Sequence, residues 1–285
     1  MQPLPRRSFL GLAAGSILFA ACGGGTDDPV AFLQPTFPDG FRQEAVIVAG
    51  IPQRLAFVVS DEIDILRETA PPTLDLAISS GGATVMETTV ERRVDGIITP
   101  YYPATVTLDT PGTYTVTLPG RDQVAAIDFL VVDRGSVLIP QVGDQLPVVN
   151  TPTFDDNAGV ADICTRAVDC QFHVIDLVDA AANDKPTVLL IATPGFCQTD
   201  ICGPVVDLLI EEASDRSDLN VIHAEVYVDP SDFAAGGFPD LTDVVQAAAL
   251  PFEPSLFVAD ANHTIVARLD TTFDRSELRQ ALDLV

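Results

Sequence analysis

Apolar residues follow two different rhythms along this chain. From about residue 32 to 134 they gather in short runs rich in Val, Ile and Thr, cut by Pro, Gly and Asp. The runs at 44–48, 54–59, 73–79, 83–89, 105–108, 113–118 and 125–132 read as strands, because β-branched side chains suit a pleated surface and the breakers supply turns. Seven short strands in roughly 100 residues predict an all-β, two-sheet sandwich. Tyr101 and Tyr102 are expected to pack onto it rather than form an exposed contact patch. No nucleophile–base pair, metal cluster or phosphate loop stands out in this half.

A linker over 134–147 separates this rhythm from the next, and a second unit is expected over 135–285. Helix-spaced apolar positions at 177, 178, 181 and 182 precede a continuous apolar run at 186–192, the pattern of a buried strand. A helix follows at 202–213, with Val205, Val206, Leu208, Leu209 and Ile210 facing inward. Then come a strand at 220–228, a helix at 241–250, strands at 255–258 and 264–269 joined by a turn at 260–263, and a helix at 275–284. Alternating strands and helices predict an α/β unit with a mainly parallel sheet covered on both faces, the hairpin adding an antiparallel edge.

Ahead of both units, Arg6-Arg7-Ser8-Phe9-Leu10 leads into an uncharged apolar stretch that ends in small residues before Cys22. That order predicts a twin-arginine export signal over 1–21. Phe19-Ala20-Ala21-Cys22 resembles a lipobox, with Phe19 in place of the usual Leu. By that resemblance Cys22 is lipidated and becomes the first residue of the mature chain. Gly23-Gly24-Gly25 then supplies a flexible tether over 22–31. The expected location is extracytoplasmic, on the membrane surface.

Charge narrows the partners. The chain carries −26, and Lys185 is its only lysine. Phosphates would be repelled, which excludes nucleic acid. Anionic lipid would repel the body as well, so the anchor does the attaching.

With Cys22 set aside, Cys164, Cys170, Cys197 and Cys202 remain, and an even number in an oxidising compartment points to two disulfides. Cys164 and Cys170 are expected to form a local structural clamp, a relay pair being the alternative. Cys197 and Cys202 lie where a strand gives way to a helix. Unpaired N–H groups and the helix dipole favour thiolate there. Three roles stay open for that pair: redox exchange, a structural staple, or a soft-metal site. On a regular helix, residues five apart rise ~7.5 Å, beyond the Cα separation of up to ~6.8 Å that a disulfide spans. Bonding therefore requires Cys197 in the loop and Cys202 in or near the first helical turn. No metal is assigned: the cysteine spacings do not match a zinc knuckle. His263 is expected to be solvated in its turn, His223 packed within a strand, and His173 near Cys170 without a spacing rule that makes it a ligand.

Three segments carry a family resemblance over about 140–285. Val188-Leu-Leu-Ile-Ala-Thr-Pro-Gly-Phe-Cys197, Pro204, and Leu250-Pro-Phe-Glu-Pro254-Ser-Leu-Phe-Val-Ala-Asp260 resemble the thioredoxin-like superfamily, particularly its peroxiredoxin-like and Sco-type branches. The resemblance implies that Pro254 is cis and faces the cysteine pair, with Phe196 where thioredoxins usually carry Trp. It implies that Phe196, Glu253 and Pro254 contact substrate, that Cys197 attacks, and that Cys202 resolves. The partners would be thiols or disulfides of exported proteins, and no cofactor would be needed. The alternatives are Sco-type copper delivery and a non-catalytic binding module with structural disulfides. Three departures stand out: Cys-x-x-x-x-Cys replaces Cys-x-x-Cys, an acid precedes Pro254, and 187–191 lacks the acid that thioredoxins bury. In the first half, Asp109-Thr-Pro-Gly-Thr-Tyr114 resembles the tyrosine corner of immunoglobulin-like sandwiches, where the ring ties back to the preceding loop.

Overall fold

The computed structural model describes residues 28–197 and 201–285. The export signal, Cys22 and most of the tether lie outside the described residues, as do Gln198, Thr199 and Asp200. Among the described residues no helix is long and apolar enough to cross a membrane.

The first half is β throughout: β1 (Phe32–Pro35), β2 (Ile47–Val48), β3 (Pro52–Ser60), β4 (Thr73–Ser80), β5 (Ala83–Glu91), β6 (Tyr102–Thr107), β7 (Gly112–Thr117) and β8 (Ile127–Val132). All seven expected strands are present. The added β1 is a short segment ending in proline, and its pairing with β3 along Phe32↔Ser60 to Pro35↔Phe57 leaves no local signature. The strands form two sheets, β1-β3-β6 and β2-β8-β7-β4-β5. Every second residue of β4 enters the core at Leu74, Leu76 and Ile78, which joins Leu55, Phe57 and Phe129. The Tyr114 hydroxyl donates to the Thr110 carbonyl at 2.8 Å, which is the expected corner. Tyr101 and Tyr102 are fully buried.

The second half contains α1 (Leu177–Ala181), β9 (Thr187–Ile191), α2 (Cys202–Ala213), β10 (Asn220–Ala224), α3 (Asp243–Ala247), β11 (Ser255–Ala259), β12 (Ile265–Asp270) and α4 (Arg275–Leu282). Element order follows expectation, and α2 starts at the cysteine as expected. Side-chain caps set two other helix starts: Asp176 accepts from Asp179 N–H at 2.7 Å, and Asp274 from Glu277 N–H at 3.0 Å.

Sheet direction corrects the sequence reading. The strand order is β10-β9-β11-β12, and only β9 and β10 run parallel. A parallel neighbour needs a crossover that returns the chain to the same sheet end. Helix α2 does this between β9 and β10. The five-residue α3, about 7.5 Å long, is too short to carry the chain back across the sheet. Strand β11 therefore enters from the opposite end.

Both faces of the sheet are covered. Leu189 and Ile191 point to α1 and α3, meeting Leu177, Ala180, Val244 and Val245. Val188 and Leu190 point to α2 and α4, meeting Val205, Val206, Leu209 and Leu278. Ala56, Val58 and Tyr101 of the first half belong to the same buried cluster as α2 and α4.

A polar network also joins the halves. The Arg54 guanidinium pairs with Glu277 at 2.7 Å, and Tyr101 donates its hydroxyl hydrogen to Glu277 while accepting from Asp274 N–H at 2.9 Å. Arg54 holds Glu277 below the usual carboxylate range although burial pushes the other way. The 134–147 segment is packed: Val137, Ile139 and Leu146 are buried, and Arg268 donates to the Pro140 carbonyl at 3.0 Å.

Candidate active site

Strand β9 is buried along its whole length and delivers the chain to an irregular loop, Thr193 to Cys197, at its C-terminal end. Cys202 opens α2. Cys197 and Cys202 form a disulfide with a Cα separation of 6.1 Å. Cys197 is non-helical and partly accessible, whereas Cys202 is fully buried. The loop placement required by the five-residue spacing is therefore met. Among the described residues no side chain caps the first turn of α2, and no acid lies in that turn. Its positive end acts on the sulfurs without a competing carboxylate from the helix itself.

The peptide bond between Glu253 and Pro254 is cis, as the resemblance implies. Glu253 turns toward the cysteines. One carboxylate oxygen accepts from Thr193 N–H at 2.6 Å and lies 3.7 Å from the Cys202 sulfur. Burial pushes its pKa from 4.5 up to about 7, opposed by the Thr193 N–H. A carboxyl that titrates near neutrality beside a buried sulfur is suited to proton transfer. Strand β9 itself carries no acid, and the carboxyl beside Cys202 comes from the loop before β11.

A groove of about 830 Å³ opens at this point and is lined by residues of both halves. Cys197, Phe252 and Glu253 line it from the second half, with Thr36, Phe37 and Arg67 contributed by the first half. Phe196 is 42% exposed, while Pro254 is buried, and neither lines the groove.

Thr165 and Glu225 shape the loop and were not singled out by sequence. Gly195 N–H donates to the Thr165 hydroxyl oxygen at 2.9 Å, and a Cβ on Gly195 would come within 2.7 Å of the Thr165 carbonyl oxygen. Thr165 is held in turn by Glu225, which accepts from its N–H at 2.7 Å and from its hydroxyl at 3.1 Å. Burial raises the Glu225 pKa to about 8, against the pull of those donors. The only sequence signal for Glu225 was an acid in the apolar run leading out of a buried strand.

The expected Cys164–Cys170 clamp is not formed. Both are free, buried thiols, and their sulfurs face imidazoles. Cys170 Sγ lies 3.4 Å from His173 Nε2 and 3.5 Å from His223 Nδ1, and Cys164 Sγ lies 3.9 Å from His223 Nδ1. His263 departs from expectation too: it is buried, because the 134–147 segment covers its turn, with Leu146 N–H donating to the His263 carbonyl at 2.9 Å.

Among the described residues, the third ligand-type side chain at the Cys197–Cys202 pair is Glu253, and no histidine joins it.

No known family model and no curated protein matches the chain. Among solved structures, it is similar to the C-terminal domain of a protein assigned as a thiol-disulfide oxidoreductase from Bacteroides thetaiotaomicron. That likeness has 7% identity and a TM-score of 0.34, covering 51% of this chain and 98% of the other. It is also similar to a thiol-disulfide oxidoreductase from Bacteroides fragilis NCTC 9343. Identity there is 8% and the TM-score 0.33, over 50% of this chain and 100% of the other.

Proposed function

We propose that this chain carries out thiol–disulfide exchange through Cys197 and Cys202. The observation that carries the reading is the pair's asymmetry: an accessible loop sulfur on a groove, bonded to a buried helical sulfur 3.7 Å from a carboxyl that titrates near pH 7. In the reduced state the Cys197 thiolate attacks a substrate disulfide, forming a mixed disulfide and releasing one substrate thiolate. Glu253 takes the proton from Cys202, whose thiolate then attacks Cys197 Sγ and releases the second substrate sulfur. The substrate gains two electrons and the chain loses two. A second dithiol protein restores the reduced pair by the reverse steps, with Glu253 returning the proton to Cys202. No cofactor is required. A Sco-type copper site would want a histidine where Glu253 stands.

The test is a trap. Full-length Cys202→Ser protein should accumulate mixed disulfides on Cys197 in the cells that make it, and these should vanish in Cys197→Ser. A reduction potential below about −300 mV for the pair would mean an inert staple and sink the proposal.

The organisation that goes with this reading is an immunoglobulin-like sandwich over 32–134 and a thioredoxin-like unit over 135–285. The Tyr114 corner and the strand order β10-β9-β11-β12 support it. Export by the twin-arginine signal and lipidation at Cys22 would place the pair outside the cytoplasm, where disulfides persist. Cys22→Ala should move the protein from the membrane to the soluble fraction; retention on the membrane would refute the anchor.

A further inference from the structure

We propose that Cys164, Cys170, His173 and His223 form a tetrahedral zinc site, separate from the Cys197–Cys202 pair, that braces the loop carrying Cys197. One ligand atom from each of the four residues lies within 4.8 Å of all the others, and all four side chains are buried. Zinc bonds of ~2.3 Å to sulfur and ~2.05 Å to nitrogen at tetrahedral angles put sulfur and nitrogen about 3.5–3.6 Å apart. The observed separations are 3.4, 3.5 and 3.9 Å. The donor atoms thus already stand near the corners that a zinc ion would require.

The surroundings fit as well. His223 Nε2–H donates to the Ala192 carbonyl at 3.0 Å, which leaves the Nδ1 lone pair aimed at the two sulfurs. A backbone carbonyl orienting the far ring nitrogen is the usual support for a metal-bound imidazole. Cys170 N–H donates to Cys164 Sγ at 3.4 Å, a contact that suits a thiolate. Val188, Leu190 and Phe172 share the buried cluster around the site. An apolar setting penalises net charge. Two thiolates and two neutral imidazoles around Zn²⁺ carry none, whereas Cu⁺ would leave one negative charge. On binding, the thiols of Cys164 and Cys170 each release a proton to solvent as their sulfurs bond the ion, and no electron moves.

The brace follows from connectivity. Thr165, next to Cys164, receives Gly195 N–H at 2.9 Å, two residues before Cys197. His223 lies on β10, directly paired with Leu190 of β9. Zinc would lock the 164–173 loop to β10 and through Thr165 fix the approach of the Cys197 loop.

The test uses full-length Cys22→Ser/Cys197→Ser/Cys202→Ser protein, so that only the two buried thiols remain of the five cysteines, reduced and loaded with Zn²⁺ or Co²⁺. One zinc per chain is expected, together with a sulfur-to-cobalt charge-transfer band and the intense visible bands of a tetrahedral ion. His173→Ala should weaken binding at least tenfold, a loss typical of disturbed metal sites. Chelation should speed amide exchange at Gly195 about tenfold, since local openings set that rate. Failure of the folded, reduced protein to bind zinc overturns the site, as does affinity unchanged by His173→Ala. A cobalt spectrum without thiolate character overturns it even if the histidine variant fails to fold. Unchanged Gly195 exchange overturns the bracing role. Because this variant lacks the exchange chemistry, none of these results bears on that activity.

Discussion

Replacing Glu253 by Gln separates its chemical role from its structural one, because the two effects have opposite signs. The amide keeps the carbonyl that accepts from Thr193 N–H at 2.6 Å, but it cannot take a proton from Cys202. General acid–base groups contribute ~10²–10⁴-fold. With oxygen and sulfur 3.7 Å apart rather than at ideal contact, the low end applies. Resolution of the Cys197 mixed disulfide should slow by ~10²-fold at pH 7. Stability should move the other way. The carboxyl's pKa is raised on folding, from 4.5 to about 7, so its favourable contribution is complete below 4.5 and is lost as pH rises through 7. That displacement corresponds to at most about 3 kcal/mol, and solvent screening of a partly accessible group reduces it to about 2 kcal/mol. Glu253→Gln should therefore be more stable than wild type at pH 8 and indistinguishable from it near pH 4. Rapid-quench mass spectrometry across pH 5–9 reads the first effect, and urea melts at the two pH values read the second. Wild type should show a rate inflection near pH 7 that the variant lacks. Retention of that inflection in the variant, with a rate within twofold of wild type, would refute the role given to Glu253.

Other substitutions test the supporting structure. Gly195→Ala pushes a methyl group to within 2.7 Å of the Thr165 carbonyl oxygen and should cost about 1–3 kcal/mol in urea unfolding, with slower exchange as the Cys197 loop shifts. Arg54→Ala leaves the buried Glu277 carboxylate without its 2.7 Å partner between the halves and should cost about 3–5 kcal/mol; a loss below 1 kcal/mol would mean that the halves do not depend on that contact. Tyr114→Phe removes one hydrogen bond, to Thr110 at 2.8 Å, and should cost about 1 kcal/mol with the sheet pairing intact by amide exchange.

Local patterns were legible and long-range assembly was not. The strands of the first half other than β1, and the helices α2 and α4, follow from β-branched runs, turn residues and helical spacing, which are properties of neighbouring residues. The direction of β11 was missed because it depends on where a 30-residue excursion re-enters the sheet, which no window of sequence encodes. The spacing of Cys164 and Cys170 suggests a clamp because it carries no sign of His223. That residue lies more than 50 positions away and reaches them only because β10 pairs with β9 and His223 N–H bonds to the Phe172 carbonyl at 3.0 Å. Glu253 was visible as an oddity before a proline. Its proximity to Cys202 needed the tertiary structure.

The same long-range assembly gives the unusual cysteine spacing its logic. A Cys-x-x-Cys pair fits within one helical turn, so both sulfurs sit at the same helix end. The longer spacing lets Cys197 leave the helix and stand on the groove while Cys202 stays fully buried at the start of α2. Separating the sulfurs in this way separates their environments: solvent and substrate on one side, and on the other an acid whose pKa is set by burial. Phe37 and Arg67 of the first half line the same groove as Cys197. The β half therefore forms part of the groove on which the proposed exchange would take place, and the Arg54–Glu277 pair is one of the contacts that hold that half against α4.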